Sequence, residues 1–151
     1  EFDLNEMIAE VVRDADFEAS AGARRVEFFA RASLTLYGNR EMLRRALENV
    51  VRNGVRYTEE GTSVEVCLEG EDTRQAAIRV RDHGPGLPEE ALGDIFRPFY
   101  RHAEARDRQS GGTGIGLAIT ERAVGLHGGS VEAANAAGGG LVVTIMLPLS
   151  S

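Results

Sequence analysis

The sequence predicts an α/β (α+β) fold in which three main helices cover one face of a mixed, largely antiparallel sheet. Three observations predict it. Apolar residues recur at helical spacing in two stretches, two neighbouring runs alternate with a period of two around a short polar turn, and the order of elements is not a repeating βαβ. At 151 residues, 42% of them hydrophobic and 27% charged, the chain has the makeup of one compact domain. At this length folding buries roughly 68 to 70% of the unfolded surface, so neither disulfides nor a structural metal is required.

The first helix is read from Leu4, Met7, Ile8, Val11, Val12 and Ala15, with Asp3 and Glu6 spaced as a capping box, and spans 4–21 before Gly22 breaks it. Two short runs follow, 26–30 and 34–37, which read as a small strand pair. Asn39 is placed to cap a second helix whose stripe is Met42, Leu43, Ala46, Leu47, Val50, Val51 and Val55, ending near Tyr57. Runs 62–69 and 76–82 alternate as a hairpin around the turn 70–73. From 84 to 112 regular patterning fades, apart from a short helical stretch after Pro88, and the charged segment 101–112 is expected to be a mobile lid. A third helix spans 114–126, and two last strands, 130–134 and 141–147, flank the turn 135–140.

Composition excludes several functions. Seventeen basic against 24 acidic residues give a net charge of −7 spread along the chain, which disfavours nonspecific binding to nucleic acid or anionic membrane. No apolar run approaches the roughly 20 residues that cross a bilayer, and no signal-peptide layout opens the chain. Beginning at Glu1 without a Met, it reads as a piece of something longer. The single Cys67, in the apolar run 64–68, reads as a buried core thiol in a reducing compartment. Gly stands at 18 positions, and seven of these fall between Gly84 and Gly116, which directs attention there.

Four clusters could carry chemistry. On the second helix Asn49 and Asn53 are four apart, so both amides project from one face, suited to a hydrated Mg²⁺ and phosphate oxygens; two solvated surface residues would show the same spacing. At the end of a strand Asp82 is followed by Gly84-Pro85-Gly86-Leu87, where an acceptor-only carboxylate suits an amino donor such as adenine N6 and glycines admit a flat ring; an ordinary turn reads alike. The run Gly111-Gly112-Thr113-Gly114-Ile115-Gly116-Leu117 opens a helix whose free N–H groups suit phosphates. It lacks both the Walker ending and the dinucleotide spacing. Between these, Phe96 and Phe99 could anchor the lid and Arg101 could reach a terminal phosphate, although core aromatics and a surface Arg look the same alone. The four together, in this order, each suit a different part of one Mg-nucleotide.

In order and spacing these clusters resemble the N, G1, F and G2 boxes of the ATP-binding catalytic domain of sensor histidine kinases, within the superfamily that includes gyrase, the heat-shock protein 90 chaperone and the MutL repair ATPase. The runs 96–101, 104–119, 37–39 and 48–57 are particularly similar to the envelope-stress sensor kinases of Gram-negative bacteria. The resemblance covers essentially the whole chain and implies a Bergerat-type two-layer α/β sandwich with the nucleotide between helices and lid. It implies that Asn53 ligands Mg²⁺ with Asn49 beside it, that Arg56 touches phosphate and that Tyr57 lines the pocket. Asp82 would read adenine N6, with Gly84, Gly86 and Leu87 walling the ring. Phe99 would belong to the nucleotide site, Arg101 would approach the γ-phosphate, and Gly112, Thr113, Gly114, Ile115, Gly116 and Leu117 would cradle the phosphates. Two positions depart from the family: Gly54 replaces the commoner Ala, and Leu141 replaces a Thr or Ser, so that a polar side-chain role is missing there.

In the superfamily's ATPases a Glu commonly lies four residues before the metal-binding Asn as general base; here that position is Asn49, and an amide takes no proton at neutral pH. Transfer to a histidine, which has its own lone pair, depends more on positioning and charge stabilisation. The acceptor motif of these kinases, a His followed by an acid, is absent: His83, His102 and His127 precede Gly84, Ala103 and Gly128. The leading expectation is therefore a protein histidine kinase's catalytic half, with Asn49 and Arg101 as its catalytic residues and ATP and Mg²⁺ as cofactors. It would serve a separate helical phosphoacceptor domain of a homodimeric parent in the bacterial inner membrane, with a response regulator downstream and this segment in the cytoplasm. A superfamily ATPase and a nucleotide-binding interaction module without transfer are the alternatives.

Overall fold

The computed structural model describes residues 1–71, 74–96 and 114–149. A two-residue strand β1 (Phe2–Asp3) leads into α1 (Leu4–Ser20), whose N-terminus is capped by Asp3, its side chain accepting from the Glu6 N–H at 3.3 Å. One face of α1, Leu4 through Ala19 at helical spacing, is buried, as the sequence predicts. α2 (Arg40–Tyr57) begins at Asn39, whose Oδ1 accepts from the Met42 N–H at 3.0 Å, and buries Leu43, Ala46, Leu47, Val50, Val51 and Gly54.

The five-stranded sheet contains β2 (Arg25–Ala30), β4 (Ser63–Glu71), β5 (Gln75–Arg81), β6 (Ser130–Asn135) and β7 (Leu141–Pro148) in the order β2-β4-β5-β7-β6. Among the described residues only β2 with β4 is parallel in this sheet; its other three pairings are antiparallel. A single-turn 3₁₀ helix (Glu89–Ala91) follows Pro88, and α3 (Gly114–Leu126) completes the helical layer. Val64, Val66, Leu68, Ile78, Val80, Val143, Ile145 and Leu147 are among the sheet residues in one core shared with α1, α2 and α3. The mixed, largely antiparallel sheet with three main helices is thus the fold observed.

Two expectations are corrected. Runs 26–30 and 34–37 do not pair with each other: β2 takes β4 as a parallel partner, with Val26 opposite Val64, and β3 (Thr35–Leu36) pairs antiparallel with β1. The cause is Asn5, whose amide donates to Ala32 O at 2.7 Å and accepts from the Leu34 N–H at 2.9 Å, while Leu34 O accepts from the Leu4 N–H. The link after β2 is thereby drawn to the start of α1 instead of turning back. Cys67 is half-buried and not in the core. In β4 it alternates with Val66 and Leu68, so it shares with Glu65 and Glu69 the face turned away from the helices.

Candidate functional site

Asn49 and Asn53, one turn apart, are both half-buried on α2, and Arg56 and Tyr57 occupy its last turn. Glu48, the adjacent carboxylate, is engaged elsewhere: it lies 3.9 Å from Arg44 and 3.6 Å from Arg52, and Arg52 reaches Glu18 of α1 at 3.2 Å. This row of charges runs along α2 one residue out of step with the asparagines, about 100° round the helix. Gly54 explains itself sterically. A Cβ there would stand 3.2 Å from Val64 Cγ1 and 3.8 Å from Asp82 Cβ, so the helix comes close to the strand end that carries Asp82.

The end of α2 is fastened to that strand end. Thr58, buried, donates its N–H to Gly54 O at 2.8 Å, while its Oγ1 accepts from the His83 N–H at 2.9 Å and pairs with Thr62 Oγ1 at 2.7 Å. Gly84 approaches so closely that a Cβ would overlap the Tyr57 carbonyl oxygen. The two asparagines and Asp82 therefore ride on one rigid unit.

Asp82 is 4% exposed. Its Oδ1 accepts from the N–H groups of Gly84 at 2.9 Å and Leu141 at 3.2 Å, and its own N–H donates to Leu141 O at 3.0 Å. Both hydrogen bonds to the carboxylate end on Oδ1, leaving Oδ2 for another donor. Burial pushes the Asp82 carboxyl above the ordinary carboxylate range; the two backbone N–H donors and the charges of His83 and Arg81 oppose this without cancelling it. A raised folded pKa favours the fold fully below the unfolded carboxyl pKa, and that contribution is lost as pH rises through the folded value. A donor on Oδ2 offsets the cost of burying the charged form. The missing polar side chain at Leu141 is immaterial here, because its backbone supplies both contacts.

After Asp82 the chain turns at Gly86, with φ +72°, a conformation that L side chains rarely adopt. The Leu87 N–H donates to Asn135 Oδ1 at 2.9 Å and Asn135 Nδ2 donates to Leu87 O at 2.7 Å. Asn135 and Thr58, which brace the loop after Asp82, were passed over by the sequence reading. Asn135 signals a turn, and nothing local shows a partner 48 positions away.

Gly114, Ile115 and Gly116 form the first turn of α3, and Leu117 is buried in the core. α3 is registered against α2 at two points. The buried Thr120 Oγ1 donates to Ala46 O at 2.9 Å, and His127 Nε2 accepts from the Asn39 N–H at 3.0 Å while its Nδ1 lies 2.8 Å from Ala123 O. An imidazole that accepts at Nε2 and bonds a carbonyl at Nδ1 is the neutral, Nδ1-protonated tautomer. Phe99, Arg101, Gly112, Thr113 and the expected lid 101–112 lie outside the described residues. No helix among the described residues is long and apolar enough to cross a membrane.

A buried carboxylate with two backbone N–H donors on Oδ1 thus lies beside a glycine turn, at a strand end fastened to the helix that carries two half-buried amides. The family model described as histidine kinase-, DNA gyrase B-, and HSP90-like ATPase matches residues 38–151. The chain is 46% identical to the sensor histidine kinase CpxA of Escherichia coli (strain K12) over 146 residues, 96% of this chain and 31% of that protein. It thus spans about a third of the length of the curated relatives it matches. Among solved structures, the mycobacterial sensor histidine kinase MprB superposes with a TM-score of 0.87 at 29% identity, covering 97% of this chain and 96% of that one. Histidine kinase ThkA in complex with response regulator TrrA superposes with a TM-score of 0.82 at 25% identity, covering 99% of this chain and 41% of that one. The chain belongs to the histidine kinase, DNA gyrase B and HSP90-like ATPase family, and within it to the ATP-binding catalytic domains of sensor histidine kinases.

Proposed function

We propose that this chain binds Mg-ATP and donates the γ-phosphate to a histidine on a separate helical domain of a longer protein, a homodimeric sensor kinase of the bacterial inner membrane with this part in the cytoplasm. A response regulator would receive the phosphate in turn. The observation that carries the reading is Asp82, a buried carboxylate with Oδ1 satisfied by two backbone N–H groups and Oδ2 left to a donor. An exocyclic amine such as adenine N6 meets that need; guanine presents a carbonyl oxygen at the same position. Gly84, Gly86 and Leu87 wall the ring, and Tyr57 lines the pocket.

The donor set also fits a hard cation. Asn49 and Asn53 bring neutral amide oxygens to one half-buried face of α2, suited to Mg²⁺ that keeps waters and phosphate oxygens in its shell. Asn53 would be the principal ligand, with Asn49 on metal or phosphate. Mg²⁺, when bound, neutralises charge developing on the phosphates. Arg56 would neutralise phosphate from the end of α2, Gly112 to Leu117 would cradle the phosphates, Phe99 would contribute to the nucleotide site and Arg101 would serve the γ-phosphate. Glu48 is held by Arg44 and Arg52, so no carboxylate on α2 beside the asparagines activates water. This favours transfer to a positioned histidine over hydrolysis.

Asn53→Ala is expected to weaken Mg-ATP binding about tenfold or more, by losing one ligand to the cation, while affinity measured with chelator changes little. Calorimetric titration in both conditions checks it; equal losses would assign Asn53 a structural role only.

A further inference from the structure

The turn that follows β6 belongs to the far edge of the sheet, yet it holds the Asp82 loop in three places. Asn135 mimics a strand neighbour, accepting from the Leu87 N–H at 2.9 Å and donating to Leu87 O at 2.7 Å. A Cβ on Gly86 would lie 2.6 Å from Asn135 Oδ1, so amide and turn are in close contact. Gly140 packs against the backbone of Asp82, whose carbonyl oxygen a Cβ would overlap, and the next residue, Leu141, donates to Asp82 Oδ1. The turn itself is stiff. Ala136 N–H donates to Gly140 O at 2.8 Å, Gly139 N–H to Ala136 O at 3.1 Å, and Arg81 Nη2 lies 3.2 Å from the carbonyl oxygens of both Ala137 and Gly139.

From this geometry we infer that Asn135 is a positioning residue for base recognition: it fixes the Gly86–Leu87 peptide, and with it the wall against which the base lies, without touching the nucleotide. The inference rests on the nucleotide reading of Asp82 given above. Asn135 is exposed and its side-chain hydrogen bonds are made to a loop, outside the strand ladders, so truncating the side chain disturbs the loop and leaves the core packing in place. A loosened loop must be ordered each time a base binds, and that entropy is subtracted from the base's share of the affinity.

Asn135→Ala is expected to weaken ATP binding roughly tenfold, by the same factor with Mg²⁺ and with chelator, and to weaken adenosine alike, with little change in melting temperature. Asn135→Asp keeps an acceptor for the Leu87 N–H but sets a carboxylate oxygen where Nδ2 lies 2.7 Å from Leu87 O, acceptor against acceptor, and is expected to bind no better than Asn135→Ala. Calorimetry of the full chain with ATP and adenosine, with thermal melts of each variant and Asp82→Ala in parallel, reads all of these. Unchanged affinity in Asn135→Ala, a loss confined to the Mg²⁺ condition, or parental affinity in Asn135→Asp would overturn the inference. If Asp82→Ala loses affinity while Asn135→Ala does not, the positioning role alone fails; if neither loses affinity, the nucleotide reading fails with it.

Discussion

Replacing Asp82 with alanine is expected to weaken Mg-ATP binding by about 5- to 140-fold, the range corresponding to roughly 1 to 3 kcal/mol for an unpaired donor. The same change orphans the N–H groups of Gly84 and Leu141 that end on Oδ1, so stability also falls, despite the relief of a buried charge. Asp82→Asn separates the two effects. Its amide oxygen still accepts both backbone N–H groups, but its NH₂ meets the adenine amine donor to donor. Asp82→Asn is therefore expected to melt near the parent, to bind ATP as poorly as the alanine variant, and to bind GTP relatively better, because guanine O6 accepts from that NH₂. Calorimetry with both nucleotides measures the ratio. An Asp82→Asn variant that keeps its preference for ATP would remove Asp82 from base recognition.

Gly84→Ala is expected to have the largest effect on the fold itself. The added carbon overlaps the Tyr57 carbonyl oxygen, which is backbone and cannot rotate away as a side chain can. Separating the loop from the end of α2 would also strain the bond between the His83 N–H and Thr58 Oγ1. A destabilisation of about 3 kcal/mol or more follows, read as a fall in melting temperature of roughly 6 to 12 °C for a chain of this size. Gly93→Ala is the control: nothing lies within 4 Å of its added carbon, and its melting temperature should stay within a degree or two, on the order of ~0.5 kcal/mol.

What was legible in the sequence follows from the range of the signal. α1, α2 and the β4–β5 hairpin were readable because their periodicity is local, and Asp3 and Asn39 because an N-cap answers to an N–H three residues on. Asp82 and the Asn49–Asn53 pair stood out through residue type and spacing, although their common setting appears only once Gly54, Thr58 and Gly84 join α2 to the strand end. The parallel partner of β2 was not legible, because Val26 meets Val64 across a helix and a loop, and a strand's own pattern does not name its neighbour. Cys67 was legible and misread: its phase in β4 is that of Glu65 and Glu69, and the apolar run hid the alternation. Asn135 and Thr58 act through contacts to backbone groups 48 and 25 positions away, for which a single sequence carries no local mark.

The central claim, that this chain loads ATP for a histidine held elsewhere, is tested most directly by following the γ-phosphate. The chain is incubated with γ-labelled Mg-ATP alone, and again with a separately expressed helical acceptor domain from the same parent protein. The account predicts slow hydrolysis and almost no label on the chain itself, with label on the acceptor that is acid-labile and alkali-stable. Transfer should be weak, because the covalent link that normally supplies a high effective concentration is gone. Strong labelling of the isolated chain, or brisk ATP hydrolysis abolished by Glu48→Ala, would contradict it and make this an autonomous enzyme.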